Sequence, residues 1–276
     1  MPFLRLFLLP IALFYGLVVF FRNILFDYGI FSSKEYTIPI ISVGNLCAGG
    51  SGKSPLVDYI LRLIDNRNKV AVLSRGYGRD SRGFQWVTNK SVVKDVGDES
   101  LQIARKFPEI NVAVSESRNK GIQEIIHKEC DLIILDDAYQ HRWVKPGLNI
   151  LLTTYDNLFI NDNLLPYGRL RESKKNFSRA DIIVVTKTPY PLLPLDNYRL
   201  KEQISPFFYQ KLCYSYLEYQ KPVSLYAKKS VSIEGKVVIL MTAIASAGLL
   251  KEYIDSKANV IEHFKFKDHY RFKKKD

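Results

Sequence analysis

The stretch SVGNLCAGGSGKSPL, residues 42–56, decides how this 276-residue chain is read. It follows the apolar run YTIPII and leads into SPLVDYILRLIDN, so a glycine-dense turn sits between a strand and a helix. In such a turn the backbone N–H groups point at phosphates and the following helix offers its positive end. A Lys neutralises the terminal phosphate oxygens, and a Ser or Thr hydroxyl holds Mg2+. Gly49, Gly50, Ser51, Gly52, Lys53 and Ser54 stand where this chemistry needs them. Cys47 occupies the position of the usual first glycine, which leaves the phosphate-facing half of the motif intact.

Working outward from the turn, YTIPIISV, KVAVLS, INVAVS, DLIILD, LNILLTT and DIIVVTK read as strands, and DESLQIARKF as a further helix. Continuous apolar strands separated by helices predict an α/β fold: a P-loop NTPase-like, mostly parallel sheet with helices on both faces. Past Pro189 the run PYPLLPLDNY breaks the pattern, and YSYLEYQKPVSLYA reads as extended chain. KVVILMTAI then opens a smaller C-terminal α/β lobe. The expected organisation is an apolar N-terminal helix at 1–33, a P-loop core at 34–210, an extended linker at 211–234, and the start of the smaller lobe at 235–276, which reads as incomplete.

The chain carries 40 Lys+Arg against 28 Asp+Glu, a net charge of +12 that points to an anionic partner: nucleic acid, acidic lipid or a phosphorylated small molecule. Its three cysteines, Cys47, Cys130 and Cys213, are scattered without a CxxC pair, so neither a disulfide framework nor a zinc site is indicated. From Leu6 to Phe21 there is no charged residue. As a helix that run is about 24 Å long, against a hydrocarbon core of roughly 30 Å. An interfacial anchor with Arg5 and Arg22 at headgroup level, a tilted short span and a buried helix all fit. The aromatic content, Phe14, Tyr15, Phe20 and Phe21, favours membrane contact.

A phosphate turn of this kind needs a carboxylate at a neighbouring strand end to hold Mg2+, and DLIILDD offers Asp136 and Asp137. LSRGYGRDSRGF is a basic loop after the second strand, where Arg75, Tyr77 and Arg79 are candidates to meet phosphate or substrate. VGDES places Asp98 and Glu99 at a helix start, a position that also suits capping. SESRNKG, LPYGRLRES and DHYRF add Arg118, the Arg171/Glu172 pair and His269.

Taken in this order, SVGNLCAGGSGKSP, LSRGYGR, VGDE, LDDAYQHR, LPYGRLRE, VVTK, TAIA and FKDHY resemble the tetraacyldisaccharide 4'-kinases of lipid A biosynthesis, from residue 1 to the end of the chain. The resemblance implies transfer of the ATP γ-phosphate to the 4'-hydroxyl of a tetraacylated glucosamine disaccharide 1-phosphate, giving lipid IVA. ATP and Mg2+ are then the implied cofactors. The implied partners are that lipid and an anionic membrane surface, with no nucleic acid and no obligate protein partner. The implied location is the cytoplasmic face of the inner membrane.

Residue by residue, Lys53 would bind the β/γ-phosphates and Ser54 would ligate Mg2+, with Asp136, Asp137 and Glu172 building the metal environment. Asp98 would be the general base, with His269 as its partner from the smaller lobe. Arg75, Tyr77, Glu99, Arg118, His141 and Arg171 would lie near nucleotide or acceptor phosphates. Ala138 departs from the frequent Gly of the LDDAYQHR motif and Ser54 from the frequent Thr, and neither removes a polar ligand. The competing reading is a membrane-anchored P-loop switch or scaffold without lipid kinase activity, which would not need a base over the γ-phosphate.

Overall fold

A computed structural model describes residues 7–64, 69–227, 229–268 and 270. The chain divides into two units, Met1–Tyr216 and Leu217–Asp276. The first unit is built on one eight-stranded sheet: β1 (Ile40–Asn45), β2 (Val70–Ser74), β3 (Gln85–Val87), β4 (Asn111–Val114), β5 (Leu132–Asp136), β6 (Leu148–Thr154), β7 (Ile182–Thr186) and β8 (Lys211–Tyr214). Their spatial order is β3-β4-β2-β5-β1-β6-β7-β8, with every neighbouring pair parallel except β3 and β4. Its helices are α1 (Leu9–Asp27), α2 (Lys53–Leu63), α3 (Val93–Val96), α4 (Asp98–Lys106), α5 (Arg118–Ile126) and α6 (Pro194–Ile204).

The apolar runs are continuous because both faces of the sheet are covered. Val43, Val72, Ile134 and Leu152 pack on one side with Val57 and Leu61 of α2 and Leu101 and Ala104 of α4. Ala71, Leu73, Ile133 and Leu135 pack on the other with Ile122 and Ile125 of α5. Leu151, Ile183 and Val185 form a third cluster with Leu200 and Ile204 of α6. All six strands expected for this unit are present, and β3 and β8 extend the sheet at its two edges. Residues 211–214, within the expected linker, form β8 and pair with β7. The proline-rich break after Pro189 is short: Pro194 stands in the first turn of α6, where its missing N–H costs nothing.

The sheet order puts β1 between β5 and β6, so the turns that leave β1 and β5 emerge side by side at the carboxyl end of the strands. There the backbone of Gly44 approaches the segment after β5 so closely that a Cβ would lie 2.7 Å from Tyr139 Cβ and 2.8 Å from its amide nitrogen.

Helix α1 docks on this unit along one stripe. Ala12 and Phe26 are buried, a Cβ on Gly16 would press on Leu164, and Phe26 packs edge-on against Trp143 at 4.8 Å. The Arg142 guanidinium covers the same Phe26 ring and pairs with Asp27. Away from that stripe, Leu13, Phe14, Leu17, Val18, Phe20 and Phe21 are all more than half exposed. The helix is long and apolar enough to cross a membrane, with a mean hydropathy of 1.9, a test that signal sequences and buried core helices also pass.

The second unit holds a parallel pair, β9 (Val237–Thr242) and β10 (Asn259–Lys265), joined through α7 (Gly248–Asp255). Its strand KVVILMTAI is therefore realised as β9. Residues 217–234 contain an isolated bridge, Val223 to Ser230. His269 lies outside the described residues.

The close approach at Gly44 gives a direct test. Gly44→Ala forces β1 or the Tyr139 backbone to shift and should destabilise the chain by about 1–3 kcal/mol, read as a lowered thermal unfolding midpoint with circular dichroism.

Candidate active site

The turn after β1 is held by its carbonyls. Asn45 Nδ2 donates to the Cys47 carbonyl at 2.6 Å and to Ser51 Oγ at 2.8 Å. The Thr186 hydroxyl, at the end of β7, donates to the Ser51 carbonyl at 2.8 Å, and Lys187 Nζ donates to the Gly50 carbonyl at 2.8 Å. A peptide plane fixed by its oxygen on one side presents its N–H on the other, which for the Ser51–Gly52 plane is the Gly52 N–H; the Ala48 N–H goes to the Arg169 carbonyl at 2.7 Å and the Ser51 N–H to the Gly49 carbonyl at 2.9 Å. Gly49 (φ 114°) and Gly52 (φ 85°) adopt the positive φ that glycine tolerates without strain. Gly52 leads directly into α2, whose first turn has no side-chain cap, so its N–H groups and the helix dipole face outward as an anion site.

Lys53 opens α2, and its Nζ lies 3.7 Å from Asp137 Oδ1. The same carboxylate accepts from Arg171 at 2.8 Å. Burial would raise the Asp137 carboxyl, but Lys53 and Arg171 outweigh it and hold the group below its ordinary value. Ser54 Oγ donates to Glu99 Oε1 at 2.5 Å, which brings the start of α4 against the start of α2. Asp98 is the first residue of α4, and its Oδ1 accepts the Glu99 N–H at 2.9 Å. Asp98 also lines a cavity of 370 Å³ with Val93, Leu101, Gln102, Arg105 and Lys106.

Asp136, at the end of β5, is buried, and its Oδ1 has no hydrogen-bond partner among the described residues. Burial, then the charges of Glu99 and Asp137, push its carboxyl up to about 7, against the pull of Lys53 and Arg118. A buried carboxylate oxygen without a partner among the described residues, in the field of Glu99, which also accepts from the Ser54 hydroxyl, is what a hard cation would satisfy. Among the described residues there is no cluster of three or more His, Cys, Asp or Glu side chains set as a metal cage. Mg2+ needs none, since it keeps several waters and binds through one or two carboxylates plus substrate phosphates.

Glu172 does not sit in this group. Its carboxylate is fully buried, and its oxygens accept from Gln140 Nε2 (3.2 Å), Arg179 (2.5 Å), Asn23 Nδ2 (3.2 Å) and Asn176 Nδ2 (2.7 Å). Four donors occupy the roughly four lone-pair sites a carboxylate has, so the expectation that Glu172 helps build the metal environment is corrected: it is a structural hub.

The other expected residues divide. Arg118 is buried and donates to the Ser115 and Asp136 carbonyls, and burial lowers its guanidinium to about 10. It braces the end of β5 from below rather than projecting from the surface. His141 is half-buried, and burial together with Arg118, Arg22 and Arg75 drives its imidazole down to about 4, so it is neutral near pH 7. Arg75 and Tyr77 are exposed on the loop after β2. Arg79 turns away to the Gly83 carbonyl and to Glu116, which removes it from the phosphate candidates. Arg171 is spent on Asp137.

Sequence reasoning missed Asn45, Thr186, Lys187 and Gln140. The signal for Asn45 was its polarity at the end of an apolar strand, and for Thr186 and Lys187 their place at the end of β7 in TKTP.

Compared with known proteins, residues 4–276 match the model of the family described as tetraacyldisaccharide-1-P 4'-kinase. A tetraacyldisaccharide 4'-kinase of Phocaeicola vulgatus is 42% identical over 98% of this chain and 76% of its own length. One of Flavobacterium johnsoniae is 39% identical over 100% of this chain and 82% of its own. The crystal structure of the "apo" form of LpxK from Aquifex aeolicus in complex with ATP superposes with a TM-score of 0.78 at 32% identity, covering 97% of this chain and 83% of that one.

The environment of Asp136 carries a pH signature. Its folded-state pKa, about 7, lies above the ordinary carboxylate value, so the unfolded chain gives up its proton first. The metal-free chain therefore loses stability as pH rises from about 4 to about 7 on account of this group. Asp136→Asn removes that loss. In EDTA the variant should melt above the parent chain at about pH 8, with the difference closing toward about pH 4, as followed by scanning fluorimetry.

Proposed function

The chain belongs to the tetraacyldisaccharide-1-P 4'-kinase family and is an ATP-dependent kinase of lipid A biosynthesis; we propose that its acceptor is the 4'-hydroxyl of a tetraacylated, 1-phosphorylated glucosamine disaccharide at the cytoplasmic face of the inner membrane. The observation that carries the residue assignment is the meeting of the starts of α2 and α4 at the end of β5: Ser54 bonded to Glu99, and Lys53 paired with Asp137. A nucleotide switch has no use for a carboxylate helix start placed against the phosphate turn. A phosphotransferase with an alcohol acceptor does.

In this reading the Gly52 amide and the α2 N-terminus would hold the triphosphate, and Lys53 would neutralise its terminal oxygens. Ser54 and Asp136 would hold Mg2+, with Glu99 beside them and Asp137 balancing Lys53. When bound, the ion neutralises phosphate charge. Asp98 accepts the proton of the 4'-hydroxyl as that oxygen bonds to the γ-phosphorus. The bond from phosphorus to the β–γ bridging oxygen breaks, and ADP leaves with that electron pair. A carboxylate suffices as base because the transition state is loose and positioning does most of the work.

The exposed apolar side of α1 is proposed to lie in the headgroup and acyl boundary. Its docked stripe runs from Ala12 to Phe26, so one side of the helix stays on the protein along its length, which suits a helix lying in the interface rather than crossing it. The excess of basic residues would meet anionic headgroups.

Transfer of label from γ-labelled ATP to the tetraacyldisaccharide 1-phosphate in detergent tests the proposal. The parent chain should label the lipid. Lys53→Ala should cost about 10²–10³ in kcat and Asp98→Ala about 10²–10⁴. Undiminished labelling in Asp98→Ala would remove it as the base.

A further inference from the structure

Arg171 and Glu172 end a segment that runs between α1 and the phosphate turn. On one side its backbone is bonded to the turn: the Arg171 N–H donates to the Leu46 carbonyl at 2.8 Å, and the Ala48 N–H donates to the Arg169 carbonyl at 2.7 Å. On the other side it is bonded to α1. The Tyr15 hydroxyl donates to the Arg171 carbonyl at 2.6 Å, and Asn23 Nδ2 donates to the Glu172 carboxylate. A second route runs through Gln140, whose carbonyl accepts from Arg22 of α1 at 2.5 Å. The Gln140 side-chain amide donates both to Glu172 and to the Asn45 carbonyl, the latter at 2.8 Å.

Asn23 is the one polar residue among the buried residues of α1, 6% exposed. A membrane anchor needs no such residue, and burying an amide is unfavourable unless it is bonded. Its bond goes to a carboxylate with no exposure at all, whose remaining lone pairs are filled by Gln140, Asn176 and Arg179. Without the Asn23 donor a buried anion is left short of a partner, and its other donors must regroup. Two of the elements that would shift are those that fix the phosphate turn: Gln140, which holds Asn45, and the chain at Arg171, whose guanidinium shares Asp137 with Lys53.

We infer that α1 is a working part of the nucleotide site: Asn23 and Tyr15 are positioning residues that set the phosphate turn and Lys53 through Glu172, Gln140 and Arg171. This rests on the kinase reading given above. The apolar helix then has two faces with two tasks, one toward the membrane and one toward ATP.

The full chain in detergent, titrated with MgATP by calorimetry and assayed with both substrates varied, tests it. Asn23→Leu keeps the shape and apolar character of the helix. It should raise the MgATP Kd and the KM for ATP about tenfold, with kcat at saturating ATP and the KM for lipid little changed. In a Glu172→Gln background the same substitution should add much less, since the two residues act as one unit. Tyr15→Phe deletes a single hydroxyl and should weaken MgATP about threefold. It decides the matter if Asn23→Leu does not fold. MgATP affinity equal to the parent's in both variants overturns the inference, as does a loss confined to the KM for lipid. A parent chain that binds no MgATP overturns the kinase reading itself, which is a separate result.

Discussion

A triphosphate can be held by a bare backbone turn only if the amides of that turn are made to face it. Here the Ser51–Gly52 peptide meets the constraint because its carbonyl is pulled the other way, and the bonds to the neighbouring carbonyls fix the shape of the turn. Asn45 takes the Cys47 oxygen, Thr186 takes that of Ser51, and Lys187 takes that of Gly50. These three residues come from the ends of β1 and β7 or just past them. The parallel order of the sheet is what brings such strand ends together, so the apolar core serves the site by fixing where its turns emerge.

The charges around the turn are balanced to stay slightly incomplete without nucleotide. Lys53 and Arg171 share Asp137, while Asp136 is left buried with an orphaned oxygen beside Glu99. Arg118 supports the same strand end from beneath, giving its hydrogen bonds to carbonyls rather than carboxylates. Such a site favours a cation and a polyanion arriving together: each supplies what the other group of side chains lacks. The hub at Glu172 lies one residue from this network and ties it to α1.

Much of this was legible in the sequence. The phosphate turn announces itself through Gly49–Ser54, and the six buried strands of the core through their β-branched runs, because those signals are local. The carboxylates at the end of β5 followed from the same logic. Glu172 was misread because two of its four partners, at positions 23 and 140, are distant in sequence while the others, at 176 and 179, are near, and no spacing rule reports a saturated carboxylate. Arg79 was misread for a similar reason, since Glu116 captures it from another loop. α6 was hidden by its own first proline. The role of Lys187 depends on the parallel crossover that carries the end of β7 to the turn after β1, which exists only once the sheet is assembled.

The central claim is that this arrangement moves a phosphoryl group from ATP to a lipid-borne alcohol. Phosphorus NMR of the chain mixed with MgATP and tetraacyldisaccharide 1-phosphate tests it most directly. The account predicts a new phosphomonoester resonance on the lipid that grows in step with ADP. ADP accompanied only by inorganic phosphate, or no turnover of the γ-phosphate at all, would contradict it.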